Sequence, residues 1–130
     1  MKKLILFVLM MVLSTSTIQA LPKHDMHDDI FADMEQKYGV SATFAKAVAI
    51  QESGWFTSNA YKNKNNPFGI MSKGKLKRFD SIEESIDYFG SLLSSDKYKN
   101  KNIDEIGKEY CPNDDKWARD VKKIMRRIRK

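Results

Sequence analysis

The stretch that decides the fold is Ser41-Ala42-Thr43-Phe44-Ala45-Lys46-Ala47-Val48-Ala49-Ile50-Gln51-Glu52-Ser53-Gly54. Serine caps helix N-termini through its hydroxyl, and glycine closes C-termini because it accepts left-handed backbone. Between them Phe44, Val48 and Glu52 recur at intervals of four, with Ala45 and Ala49 alongside, which predicts one helix with an inward stripe. The last member of that stripe is a carboxylate. Near a helix C-terminus an apolar wall desolvates it and the negative end of the dipole opposes its charge, so the Glu52 pKa is expected to rise. A carboxyl group placed this way keeps a proton at neutral pH and can act as a general acid, the role that glycoside cleavage requires. The same spacing also fits an amphipathic glutamate reaching for water from a frayed helix end.

Working outward, Ile30, Phe31, Met34 and Tyr38 form a stripe that predicts a helix from about Asp28 to Tyr38. Asp28 and Asp29 favour its start and Gly39 ends it. Residues 57–80 carry no helical period, and Pro67 interrupts them. Within them Phe68-Gly69-Ile70-Met71 and Leu76-Lys77-Arg78-Phe79 flank Ser72-Lys73-Gly74-Lys75, the pattern of a short hairpin. Ser81-Ile82-Glu83-Glu84 is a capping box opening a third helix with Ile82, Ile86, Phe89 and Leu93 on one face. Asn102 is placed to cap a short fourth, carrying Ile103, Ile106 and Tyr110 and stopped by Pro112. Asn113 or Asp114 then caps a fifth, with Trp117, Val121, Ile124 and Ile128 inward. The fold class is mainly α (α+β): helices with one small β-hairpin lobe inserted after the second.

At 130 residues the chain has room for one domain. Residues 1–20 are set apart from it. Lys2 and Lys3 precede an unbroken apolar run from Leu4 to Leu13, a polar Ser14–Thr17 and a small residue at Ala20, the layout of an export signal. Ten apolar residues fall short of the roughly 20 that span a bilayer; an uncleaved anchor is the alternative. The domain is therefore taken as residues 21–130, exported to the periplasm, the cell envelope or the exterior. A single cysteine, Cys111, excludes a disulfide framework within the chain and any cysteine-rich metal site, and is expected as a small buried packing residue. His24 and His27 stand three apart in a segment, Leu21 to His27, that reads as a tail. They lack a third histidine, so no metal and no cofactor is expected. Lys plus Arg number 23 against 17 acids, a formal charge of +6. Lys122, Lys123, Arg126, Arg127, Arg129 and Lys130 give the last helix a solvated basic face, suited to electrostatic contact with an anionic envelope. Export argues against nucleic acid as a partner, and no obligate protein partner is implied.

The motifs Gln51-Glu52-Ser53-Gly54-Trp55, Asn65-Asn66-Pro67-Phe68-Gly69-Ile70, Phe79-Asp80-Ser81 and Asp87-Tyr88 follow one another in a compact order. This order resembles the bacterial glucosaminidase family, lysozyme-like hydrolases that include the muralytic domain of the flagellar rod-assembly protein. The resemblance runs from about Ser41 to the C-terminus. It implies a lysozyme-like helical domain with a small β lobe beside a cleft. It also implies cleavage of peptidoglycan glycan strands, mostly after N-acetylglucosamine, with some members acting as muramidases. Carried over, Glu52 matches the catalytic acid, and Asn65, Asn66, Phe68 and Gly69 match the floor and lip of the cleft. Tyr110 looks like the tyrosine that reaches the active site from the later helices. Trp55 is a candidate sugar platform. Simpler readings stand beside these: Asn65-Asn66-Pro67 as a turn, Trp55, Phe68 and Tyr110 as core, Asp80 and Ser81 as the opening of a helix.

The lobe departs from what two-carboxylate glycosidases need. Between Glu52 and Asp80 there is no acid, only Lys73, Lys75, Lys77 and Arg78 among several cations. Three routes stay open: Asp80 as the base, attack by the substrate's own N-acetyl oxygen, or internal attack by a sugar hydroxyl, as in lytic transglycosylases. Lysines close to Glu52 would lower its pKa; they are expected at the hairpin tip, in solvent. The acid-poor lobe also fits a glycan-binding module without catalysis, and an envelope-assembly factor is a further setting for the same chemistry.

Overall fold

The computed structural model describes residues 25–129. Residues 1–20, expected to be an export signal, and His24 lie outside them. Six helices and one hairpin follow in the order α1 (Asp28–Tyr38), α2 (Ala42–Ser53), α3 (Asn59–Lys64), β1 (Met71–Ser72), β2 (Lys75–Leu76), α4 (Ile82–Leu93), α5 (Ile103–Tyr110) and α6 (Trp117–Ile128). This is the mainly α, lysozyme-like arrangement with a small β-hairpin lobe that the sequence predicts.

Helix α2 is the axis of the domain. Every residue from Phe44 to Ile50 is buried, so α2 is enclosed on all sides and not only along the Phe44–Val48 stripe. Its alanines let neighbouring helices approach closely. α6 packs along it, α1 packs on both α2 and α4, and α5 closes against α6. The caps expected for it are present: Ser41 Oγ accepts the Phe44 N–H, and Gly54 is left-handed and donates its N–H to the Ile50 carbonyl. Lys46 is the exception inside this helix. It is 4% exposed and ion-paired with Asp28 in the first turn of α1.

Several boundaries differ from the sequence reading. Residues 59–64 form α3, which the absence of a helical period had hidden. It is too short for a periodic stripe and buries none of its residues, so Ser58, which caps it through the Tyr61 N–H, is its main local signal. The hairpin strands are two residues each, paired Met71 with Leu76 and Ser72 with Lys75 around a Lys73-Gly74 turn with positive φ at both positions. The outer residues of the predicted strands, Phe68 and Phe79, enter the core instead. At α4, Ser81 caps Glu84 as expected, but the Glu84 carboxylate accepts the N–H of Asp80, one residue earlier than a regular capping box. The complete box belongs to α5, between Asn102 and Glu105. α6 starts at Trp117 without a side-chain cap from its flanking residue, Lys116. Asp114 accepts the Lys116 N–H through Oδ1 and the Trp117 N–H through its carbonyl.

The segment before α1 is no loose tail where it is described. His27 packs edge-on against Phe56, and its Nε2 lies 2.8 Å from the Tyr61 hydroxyl, tying α1 to α3. Burial, aided by the Lys46 charge, lowers the His27 pKa, and Asp28 opposes this. Cys111, expected to be buried, is a half-buried free thiol against the core.

Candidate active site

Glu52 occupies the last turn of α2, and the chain turns sharply just beyond it. Gly54, Trp55 and Phe56 adopt φ of 59°, 58° and 62°, three consecutive left-handed residues. Glycine does this freely, whereas each aromatic residue is strained by ~1–2 kcal/mol. Anchors hold the turn: the Phe56 ring is buried, its N–H donates to Ser53 Oγ at 2.8 Å, and the Arg127 guanidinium covers the Trp55 ring at 4.7 Å. The turn leaves Glu52 at the end of its helix with its side chain reaching the surface.

Three elements converge on the Glu52 carboxylate. From α6, the buried Trp117 donates its indole N–H to Oε1 at 2.8 Å. From the end of α5, Tyr110 lies against Trp117 with ring centroids 5.3 Å apart. Its hydroxyl donates to the Phe68 carbonyl at 3.2 Å, which joins the helical body to the base of the lobe. From the loop before α6 comes Asp114, whose negative charge acts on Glu52.

Glu52 is exposed as a residue, yet protein atoms crowd its carboxyl end. That desolvation raises the pKa, the Trp117 hydrogen bond works against it, and the Asp114 charge adds to it; the net direction is upward. Burial, with Glu52 and other neighbours, also drives the Tyr110 hydroxyl well above the usual phenol range. Burial and the same two carboxylates raise the Cys111 thiol. No lysine contributes to the Glu52 shift. Lys73, Lys75 and Arg78 are exposed, and the half-buried Lys77 ammonium lies over the Phe79 and Tyr88 rings.

The other residues singled out in the sequence have distinct places. Asn66 is fully buried. Its Nδ2 donates to the carbonyls of Ile70 and Lys77, and its Oδ1 accepts the Ile70 N–H, so one carboxamide clasps both limbs of the hairpin. Asn65, left-handed at the end of α3, donates to the Phe79 carbonyl. Phe68 is 2% exposed and stacks on Phe89 at 4.2 Å, so this segment offers its backbone to the site and not the Phe68 ring. Gly69 has φ +66°, with nothing within 4 Å of where a Cβ would lie; its backbone, and not crowding, calls for glycine. Trp55 is half-buried beneath Arg127. Asp80 is exposed at the opening of α4, and its charge is not among those acting on Glu52.

The structure thus brings together Glu52, Tyr110 and the Phe68 backbone, and adds Trp117 and Asp114. Trp117 reads as one more member of a core stripe, and it is buried there; Asp114 reads as a cap of α6, but the flanking residue is Lys116 and no side chain caps the helix. No local pattern links Trp117 to a carboxylate 65 residues away. A cavity of about 470 Å³ between α1 and the start of α4, bordered by Asp33, Lys37 and Asp87, shares no residue with this group. Among the described residues no group of three or more His, Cys, Asp or Glu is arranged to hold a metal ion.

A protein-family comparison matches residues 28–130 to the Glucosaminidase family, described as mannosyl-glycoprotein endo-beta-N-acetylglucosaminidase. No curated protein matches the chain.

Proposed function

Since the chain belongs to the glucosaminidase family of glycosidase-type peptidoglycan hydrolases, we propose that it is an exported enzyme that cuts peptidoglycan glycan strands after N-acetylglucosamine, with Glu52 as general acid. The observation that carries this reading is the Glu52 carboxyl group, raised in pKa by crowding and by Asp114, with the Trp117 indole hydrogen-bonded to its Oε1. Desolvation of the Glu52 carboxyl end, with the Asp114 charge adding to it, favours the protonated form that a general acid needs. That proton passes to the glycosidic oxygen as the bond to the anomeric carbon breaks. Tyr110, Asn65, Asn66, Phe68 and Gly69 shape the adjoining wall, the asparagines by holding the lobe together, and Trp55 borders it.

Completion of the reaction requires attack at the anomeric carbon. Asp80 is the next acid along the chain after Glu52, but its exposed place at the opening of α4 suits it less than the substrate's own N-acetyl oxygen or hydroxyl. This second possibility, internal attack, is the lytic transglycosylase outcome. The reading needs no metal or organic cofactor. The basic α6 face would add long-range attraction to an anionic envelope.

The test is mass spectrometry of fragments released from purified sacculi by residues 21–130 and by the Glu52→Gln variant. Reducing-end N-acetylglucosamine products, absent with the variant, are expected. Anhydro-muramyl ends would move the enzyme to the transglycosylases. Sacculus binding without fragments from either protein would make it a binding module, and full activity of the variant would remove Glu52 from the mechanism.

A further inference from the structure

The contact between Trp117 and Glu52 does more than join two helices. We propose that Trp117 is a positioning residue that dictates which oxygen of Glu52 carries the transferable proton. This rests on Glu52 being the general acid and deepens that reading.

An indole N–H donates and never accepts. Pointing at Oε1 from 2.8 Å, it makes that oxygen an acceptor in both protonation states of the carboxyl group. The carbonyl oxygen of a carboxyl group accepts far better than its hydroxyl oxygen, so the indole selects Oε1 as the carbonyl and the acid hydrogen resides on Oε2. A serine, threonine or tyrosine hydroxyl in the same place would rotate to donate or accept and would impose no such choice.

The indole itself has little freedom. Trp117 is 2% exposed, with Phe44 edge-on at 6.4 Å and Tyr110 at 5.3 Å. A Cβ on Gly107 would come within 3.0 Å of its ring, and its own backbone N–H is held by the Asp114 carbonyl. The ring therefore carries its N–H to one fixed point at the end of α2.

The charged and titratable groups acting on Glu52 are few. Asp114 acts on it from the loop before α6, and Glu52 in turn raises the Tyr110 hydroxyl and the Cys111 thiol at the end of α5. Arg127 of α6 lies over Trp55, and the hairpin lysines exert no influence on Glu52. Of these contacts the indole is the hydrogen-bond donor to Glu52, and it favours the charged form. Removing only that N–H must then raise the Glu52 midpoint further.

The experiment replaces Trp117 site-specifically with 3-benzothienylalanine, which keeps the shape of the ring and substitutes sulfur for N–H; Trp117→Phe is the second variant. The Glu52 carboxyl carbon is titrated by NMR without substrate, and kcat and KM on sacculus fragments are measured across pH. The expected result is a higher Glu52 midpoint, an alkaline limb of kcat/KM moved up with it, and kcat lower by ~10- to 100-fold with KM nearly unchanged, as for a misplaced catalytic group. A midpoint that stays in place while the unsubstituted protein releases fragments would overturn this inference alone. A midpoint that rises with kcat unaffected would also overturn it, leaving Trp117 a packing residue. Absence of fragments from the unsubstituted protein would reject the hydrolase reading and this inference with it.

Discussion

Replacing Asn66 by alanine tests whether this residue holds the lobe or touches the glycan. Its carboxamide makes three hydrogen bonds to the hairpin backbone, two as donor and one as acceptor. The Ile70 carbonyl keeps a second partner, the Lys77 N–H at 2.8 Å, and loses little. The Ile70 N–H is buried and loses its acceptor, a loss of about 2 kcal/mol. The Lys77 carbonyl sits where water can reach it after the change, so its loss is about 1 kcal/mol. The total of about 3 kcal/mol corresponds to a fall in Tm of ~12–24 °C for a domain of this size. Thermal and urea unfolding of the variant measure it, together with hydrogen exchange at the Ile70 amide. Asn66→Asp should do no better, because it retains the acceptor for Ile70 but turns a carboxylate oxygen toward two carbonyls. If Tm and Ile70 exchange are both unchanged while glycan binding is lost, Asn66 faces the sugar and the structural role assigned to it is wrong.

Two further changes probe the electrostatics and the packing. The Asp114 charge raises the Glu52 pKa, so Asp114→Asn lowers it, and the alkaline limb of kcat/KM shifts to lower pH; Asp80→Asn leaves that limb in place, and the pH profile of fragment release reads both. Gly90 of α4 faces α1 so closely that a Cβ would lie 2.5 Å from Tyr38 and 2.6 Å from Met34. Gly90→Ala therefore loses about 1–3 kcal/mol to overpacking, more than the ~1 kcal/mol gained in helix propensity. Urea denaturation should show a net loss, and Gly90→Ala should lose less when introduced into a Met34→Ala background than into the unsubstituted protein.

A helical domain, its principal boundaries and its candidate acid are legible in the residues alone. These are local properties: a serine or asparagine before an apolar period, a glycine or proline after it, and a carboxylate in register with Phe44 and Val48. The order of the Glu-Ser-Gly-Trp and Asn-Asn-Pro-Phe-Gly-Ile motifs added the family. Where periodicity has no length to act on, as in the six residues of α3, only the Ser58 cap marks the helix. Where one residue serves two ends, periodicity gives half an answer: Trp117 is core by its spacing and a hydrogen-bond donor to Glu52 by its N–H, and only the packing of α6 along α2 brings that N–H to the carboxylate. That Asp114, expected only as a helix cap, acts on Glu52 was likewise beyond the sequence. Asp80 is the next acid after Glu52 along the chain, but electrostatic influence depends on distance through space and on the medium between, and folding assigned it to Asp114.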